Sequence, residues 1–243
     1  MPGLLRTLRR RHLLRRPFPS EWLGYLERRV PFFRELPAEP RQRFLEQLKV
    51  FAWEKEFIGA GGFTITDEVR VVVSATAVRL VVHLDLSYYD RLREVIVYPD
   101  AFRIPDRTGV VLGEAKQWGT VILSWQSVLA GLANPHDGHA TATHEFAHVL
   151  DREDGAFDGT PQLRQYSHYR AWASVMGEHF HKLRQGQRPE RQVLDDYGGL
   201  NEAEFFAVAT ESFFEKPRQM REKTPELYAE LQRFYGWDPA PET

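Results

Sequence analysis

The stretch Thr141-Ala142-Thr143-His144-Glu145-Phe146-Ala147-His148-Val149-Leu150-Asp151 places the tightest limit on what this chain can become. Read as a helix at ~100° per residue, it divides into two unlike faces. Ala142, Phe146, Val149 and Leu150 gather on one side, which must be packed from behind. His144 and His148 stand one above the other on the opposite side, with Thr141 and Asp151. The fold must therefore bury one face of this helix and set a polar partner against the other. Two imidazoles at this spacing can reach one metal ion, and zinc is the usual occupant of an H-E-x-x-H pattern. Glu145, beside the first histidine, is placed as a general base. Asp151, three residues beyond His148, is placed to accept a hydrogen bond from a ligand's second ring nitrogen. Two surface histidines on an ordinary amphipathic helix would give the same short pattern. The apolar back is what makes a site helix the better reading.

A catalytic zinc needs a third protein ligand and one position left to water. The 243 residues include no cysteine, so thiolate ligands, disulfides and a cysteine nucleophile are excluded. The ligand must come from His, Asp or Glu. Asp154 lies six residues after His148, but that arrangement needs a glycine where Asp151 stands, and it is disfavoured. No motif places another histidine. The third source is the stretch NEAEFFAVATESFFE. On a helix, Glu204, Glu211 and Glu215 share one face, while Phe206, Ala209 and Phe213 share the opposite one. A carboxylate front set against a His/His front would complete a two-histidine, one-glutamate site. A solvated acidic face would show the same periodicity, and spacing alone does not choose between the two.

The remainder of the chain frames these two helices. With 42% hydrophobic and 13% aromatic residues it can bury a substantial core. A net charge of −2 supplies no global field toward nucleic acid or an anionic membrane, so no direct nucleic-acid binding is expected. No apolar run is long enough to form a transmembrane segment. The absence of cysteine fits a cytoplasmic setting. Residues 1–19 are rich in arginine and read as a mobile basic tail, with peripheral contact to an acidic partner or membrane surface as the other reading. Pro17-Phe18-Pro19 follows the basic residues where a secretory signal would need an apolar core.

Residues 20–243 read as a single domain with an N-terminal helical part over about 20–65. Ser20 is expected to cap a first helix, helix extends toward Phe57, and Pro37 and Pro40 interrupt it. Residues 66–84 are rich in valine, yet their length without a turn signal favours a buried helix. Glu94–Tyr98 (EVIVY), Gly109–Ala115 and Gly119–Trp125 (GTVILSW) read as strands, the last two joined by Lys116-Gln117-Trp118. Asp137 is the expected N-cap of the motif helix. Residues 151–158 read as an acidic connection that lacks the ligand periodicity of a calcium loop. Helices are expected over 162–185, 201–215 and 224–235, with an irregular stretch over 193–200. Mixed strands followed by helices indicate an α+β fold.

The runs HEFAHVLD, DDY and NEAEFFAVATESFF together resemble the Mlc titration factor A family of bacterial zinc peptidases. VIVYPDAF and TVILSW resemble that family's strand region, so the similarity covers most of residues 40–238. The resemblance implies a zincin-like catalytic domain related to anthrax lethal factor, with a small mixed sheet, the HExxH helix and flanking helices. It implies His144, His148 and Glu204 as zinc ligands, Glu145 as base, and Tyr197 as a transition-state donor. Lethal factor carries an acidic residue four positions after its ligand glutamate. Val208 stands there in this chain, so that supporting contact would fall to Glu211 or Asp151. The implied activity is an aminopeptidase-like cleavage of peptide substrates. A regulatory role through binding a sugar-responsive transcriptional repressor is implied beside it. The alternative is an interaction protein with a vestigial or structural zinc site, against which the intact Glu145 argues. Strand TVILSW, just before the motif helix, is expected to pair with extended peptide along its edge.

Overall fold

A computed structural model of the chain describes residues 2–101, 112–116 and 119–240. The architecture is mixed α+β, a small sheet among many helices. The basic opening, expected as a mobile tail, is instead helix α1 (Pro2–Arg15), docked on α4 (Ala38–Glu54). It is held because Leu13 is buried and the Arg10 guanidinium donates to Glu54 and Asp90 at 2.7–2.8 Å.

Helices α2 (Ser20–Arg29) and α3 (Pro31–Glu35) lie between α1 and α4. Ser20 is the first helical residue and Pro19 occupies the cap position, so the expected cap is displaced by one residue. Pro40 does not interrupt α4. It lies in the first turn, where a missing N–H costs nothing. Phe57 lies not in helix but in strand β1 (Glu56–Gly59).

The valine-rich stretch forms α5 (Asp67–Val81), capped by the Thr66 side chain, which accepts from the Val69 amide. Helices α2, α4 and α7 pack around α5. Burial on so many sides lets tertiary packing override the strand propensity of its valines.

The sheet has the order β1-β2-β4-β3, where β2 is Glu94–Tyr98, β3 is Gly113–Lys116 and β4 is Thr120–Ser124. β1, β2 and β4 run parallel, with Val95 beside Val121 and Val97 beside Leu123. β3 returns antiparallel on β4. Of the strand expected over 109–115, residues 109–111 lie outside the described residues, as do Gln117 and Trp118 of the connection. The strand expected to reach Trp125 ends at Ser124, and α6 (Trp125–Ala133) starts at once. Ser124 closes the strand and also caps the helix by accepting from the Ser127 amide, so no turn residue marks the change.

The motif helix is α7 (Thr141–Asp151). Asp137 does not cap it; its carboxylate accepts from the His139 amide and shapes the preceding turn. Behind α7, the buried Phe146 ring packs edge-on against Phe51 and Tyr89. The expected 162–185 helix is shorter, α8 (Tyr169–Arg184), and is followed by α9 (Arg188–Val193). Then come α10 (Glu202–Glu215), a short α11 (Pro217–Lys223) and α12 (Pro225–Tyr235). Asn201 caps α10, its side chain accepting from the Glu204 amide at 3.0 Å. One hydrophobic core runs from Leu13 to Tyr235 and fixes α7 against α10.

Candidate metal centre

Helices α7 and α10 meet with their polar faces together, because each has its aromatic residues committed elsewhere. Phe146 is buried behind α7, and Phe206 of α10 packs on Trp172 and Phe234. The contact brings His144, His148 and Glu204 to one point. His144 Nε2 lies 2.9 Å from Glu204 Oε2, His148 Nε2 lies 3.2 Å from the same oxygen, and the two ring nitrogens are 3.1 Å apart. A tetrahedral ion with bonds of ~2.0–2.1 Å holds its ligand atoms ~3.3 Å apart. The observed triangle is only slightly tighter. Two imidazole nitrogens and a carboxylate oxygen converging in this way fit a single cation.

The acidic face of α10 is not solvated. Glu211 and Glu215 are both buried. His144 Nδ1–H donates to Glu211 Oε1 at 2.7 Å, which leaves Nε2 as the inward-facing nitrogen. Glu211 Oε2 accepts from the Ala140 amide at 2.7 Å, and Glu215 Oε2 accepts from the Gly138 amide at 2.9 Å. The chain entering α7 is thus clamped by α10.

Asp151 does not take the role expected of it. It makes no hydrogen bond to His148, whose Nδ1 has no partner among the described residues. Its Oδ2 accepts from the Gly159 amide at 3.1 Å instead, because the chain turns back at Gly155 and brings residues 158–160 over the helix end. Burial pushes the Asp151 carboxyl up to about 7.

This returning loop supplies a site residue that carries no motif. The Phe157 ring lies 5.1 Å from the His148 ring and is 42% exposed, with the Arg152 guanidinium over it at 3.8 Å. Arg152 also donates to the Ala115 carbonyl of β3. Tyr197 stands on the opposite flank, its ring 6.0 Å from that of His144. It is set by a tight turn in which Asp195 accepts from the Tyr197 amide at 2.8 Å.

Glu145 is buried under β3. Burial pushes its carboxyl up to about 7, with Glu204 adding to the rise and the His144 charge and Ala115 amide opposing it. Burial works against a charged His144, but hydrogen bonds to Glu204 and Glu211 outweigh it and raise its pKa to about 10. Burial likewise opposes an ionised Glu204, yet its histidine partners hold it down to about 2. His148 is pushed down, mainly by burial and partly by the His144 charge. Glu204 is therefore an anion at neutral pH, while the Glu145 carboxyl lies well above the ordinary carboxylate range.

Gly113 is a second residue without a motif. A Cβ there would lie 2.7 Å from Glu145 Cγ and 2.8 Å from Thr141 Cγ2. Only glycine lets β3 pass this close to Glu145. Gly113→Ala should displace Glu145 and, on the peptidase reading proposed below, lower kcat/KM by ~10–100-fold with metal content unchanged. An unaltered rate would show that β3 does not position Glu145.

Such a three-donor cluster, set on a mixed α+β frame, can hold a metal ion. The chain belongs to the glucose-regulated metallo-peptidase M90 family, whose pattern matches residues 5–236. It is 37% identical over 244 residues to an uncharacterized protein of Synechocystis, covering 95% of this chain and 89% of that one. It is 27% identical over 229 residues to Mlc titration factor A of Pectobacterium atrosepticum, covering 86% of this chain and 84% of the relative. The Serratia proteamaculans protein of the same name is 25% identical over 239 residues, covering 90% and 88%.

Proposed function

We propose that the chain is a zinc-dependent, aminopeptidase-like peptidase of zincin-like build, comprising a single catalytic domain. The observation that carries this is the convergence of His144 Nε2, His148 Nε2 and Glu204 Oε2 within 3.2 Å of one another, beside the buried Glu145. With neither thiolate nor a larger oxygen cage, the donor set suits zinc better than calcium or magnesium. Zinc held there would lower the pKa of water toward ~7 and polarise the scissile carbonyl.

The chain's own groups do the rest. Glu145 accepts a proton from the attacking water and returns it to the leaving amine. Tyr197, beside His144, donates to the oxyanion as it forms. Glu211 holds His144 in the tautomer that presents Nε2. The peptide is expected to lie along the outer edge of β3. β4, the strand first expected to bind it, is paired on both sides by β2 and β3. β3 passes directly over Glu145, so a substrate strand added there would bring its carbonyl to the base.

A regulatory role belongs to the same reading. The name of the relatives, Mlc titration factor A, supports binding of a sugar-responsive transcriptional repressor as a second activity. A cytoplasmic setting follows from that role. No described helix is long and apolar enough to cross a membrane.

The test is hydrolysis of amino-acid anilides and short peptides by purified chain before and after metal removal. Cleavage should vanish on chelation and return on adding about one equivalent of zinc. Cleavage that persists in the metal-free chain would sink the proposal. A chain that binds zinc and the repressor but cleaves nothing would leave the regulatory role alone standing.

A further inference from the structure

Outside the metal centre, α1 presents an outer face that the core does not use. Its inner side is committed: Leu13 is buried, Arg6 pairs with Asp90, and Arg10 pairs with Glu54 and Asp90. The outer side begins with Leu4, Leu5 and Leu8, which are 69%, 71% and 51% exposed. It continues with Arg11, His12 and Arg15, all exposed. Leu4, Leu8, Arg11 and Arg15 follow helical spacing and form one stripe, apolar at one end and basic at the other. The helix contains no acidic residue.

Beside it opens a groove of about 1010 Å³ between α1 and the ends of β1, β2 and β4. Exposed Arg9, Arg91 and Arg93 line it. Of the three carboxylates there, Glu54 and Asp90 are already engaged by Arg6, Arg10 and Lys55, and the exposed Glu56 stands against Arg9, Arg91 and Arg93. This end of the molecule is therefore locally basic although the whole chain carries −2.

We propose that α1 and this groove dock the protein on an anionic lipid bilayer. The exposed leucines enter the interface, and the arginines face the headgroup phosphates. Charge complementarity alone would also suit an acidic protein, but that partner gives no reason for three adjacent leucines to face solvent. Apolar insertion combined with basic attraction is the two-signal arrangement that holds an interfacial helix. None of the groove's lining residues belongs to the metal centre.

The experiment is flotation of the full chain with vesicles of phosphatidylcholine mixed with phosphatidylglycerol, against pure phosphatidylcholine. The protein should float with the mixed vesicles only, and high salt should release it. Arg9→Gln, Arg11→Gln and Arg15→Gln together should cut partitioning ~100-fold. Leu4→Ala, Leu5→Ala and Leu8→Ala together should cut it ~10-fold or more. All six positions are exposed, and unchanged melting temperatures establish that the variants are folded. No flotation with either vesicle overturns the proposal. So does flotation that the leucine changes leave untouched. Retention on immobilised polyglutamate without flotation would assign the face to an acidic polypeptide instead.

Discussion

Glu145→Gln should reduce peptide hydrolysis by ~10²–10⁴-fold while the chain keeps its metal. The proposed ligand atoms belong to His144, His148 and Glu204, and none is touched by the change. An amide has nearly the shape of the carboxylate but cannot accept the proton of the attacking water. Loss of folding is not a competing explanation. Burial raises the Glu145 carboxyl to about 7, above its ordinary value, so in the metal-free chain the folded state favours the protonated form. Stability from this group is full below the ordinary carboxylate range and is lost as pH rises toward 7. The glutamine never ionises, so the metal-free variant should melt at or above the parent temperature at neutral pH. The measurements are kcat/KM on a peptide anilide, bound zinc, and thermal unfolding of the same preparations. A variant as active as the parent would remove Glu145 from the chemistry. A variant that is inactive but metal-free would place its role in holding the ion.

The sequence carried the centre of the site better than its surroundings. His144, Glu145 and His148 are legible because helical spacing alone aligns two imidazoles and sets a carboxylate beside them. Glu204 is legible only as one of three glutamates on a shared face. It becomes distinct once α10 is seen to cross α7 with Glu204 at the Nε2 side of His144 and Glu211 at the Nδ1 side. Phe157 and Gly113 carry no pattern of their own. Phe157 matters because the Gly155 turn folds it onto His148, and Gly113 because a strand crosses over a helix there. Both are consequences of long-range packing, which periodicity does not encode. Asp151 illustrates the reverse failure. Its spacing from His148 was right for a ring contact, but the amide of Gly159 reached the carboxylate instead.

The secondary structure divides in the same way. α5 was readable because a valine-rich run of that length, with no turn inside it, is too long for one strand. α6 was hidden because Ser124 ends β4 and caps the helix without an intervening turn residue. Helix α1 was hidden for another reason. An arginine-rich sequence looks solvated until Glu54 and Asp90, distant in sequence, supply its counter-charges.

Glu204→Ala and Glu211→Ala should separate by their effect on metal rather than on rate. The two residues lie on one face of α10, two turns or ~10 Å apart along the axis. They engage opposite edges of the same imidazole: Glu204 Oε2 lies 2.9 Å from His144 Nε2, and Glu211 Oε1 lies 2.7 Å from His144 Nδ1. Only the first can share an ion with His148 Nε2, which lies 3.2 Å from Glu204 Oε2. Removing Glu204 leaves two imidazoles, and the chain should lose its zinc on dialysis against a mild chelator. Removing Glu211 leaves the three donors in place but frees the His144 ring to turn, costing ~10–100-fold in affinity or activity. It also strips the buried Ala140 amide of its acceptor, which should cost about 1–3 kcal/mol of stability. Glu211→Gln restores an acceptor for that amide and should recover most of the stability. Zinc content, peptidase rate and melting temperature on all three variants give the answer. Should Glu211→Ala come out metal-free while Glu204→Ala keeps stoichiometric zinc, the two carboxylates have been assigned the wrong way round.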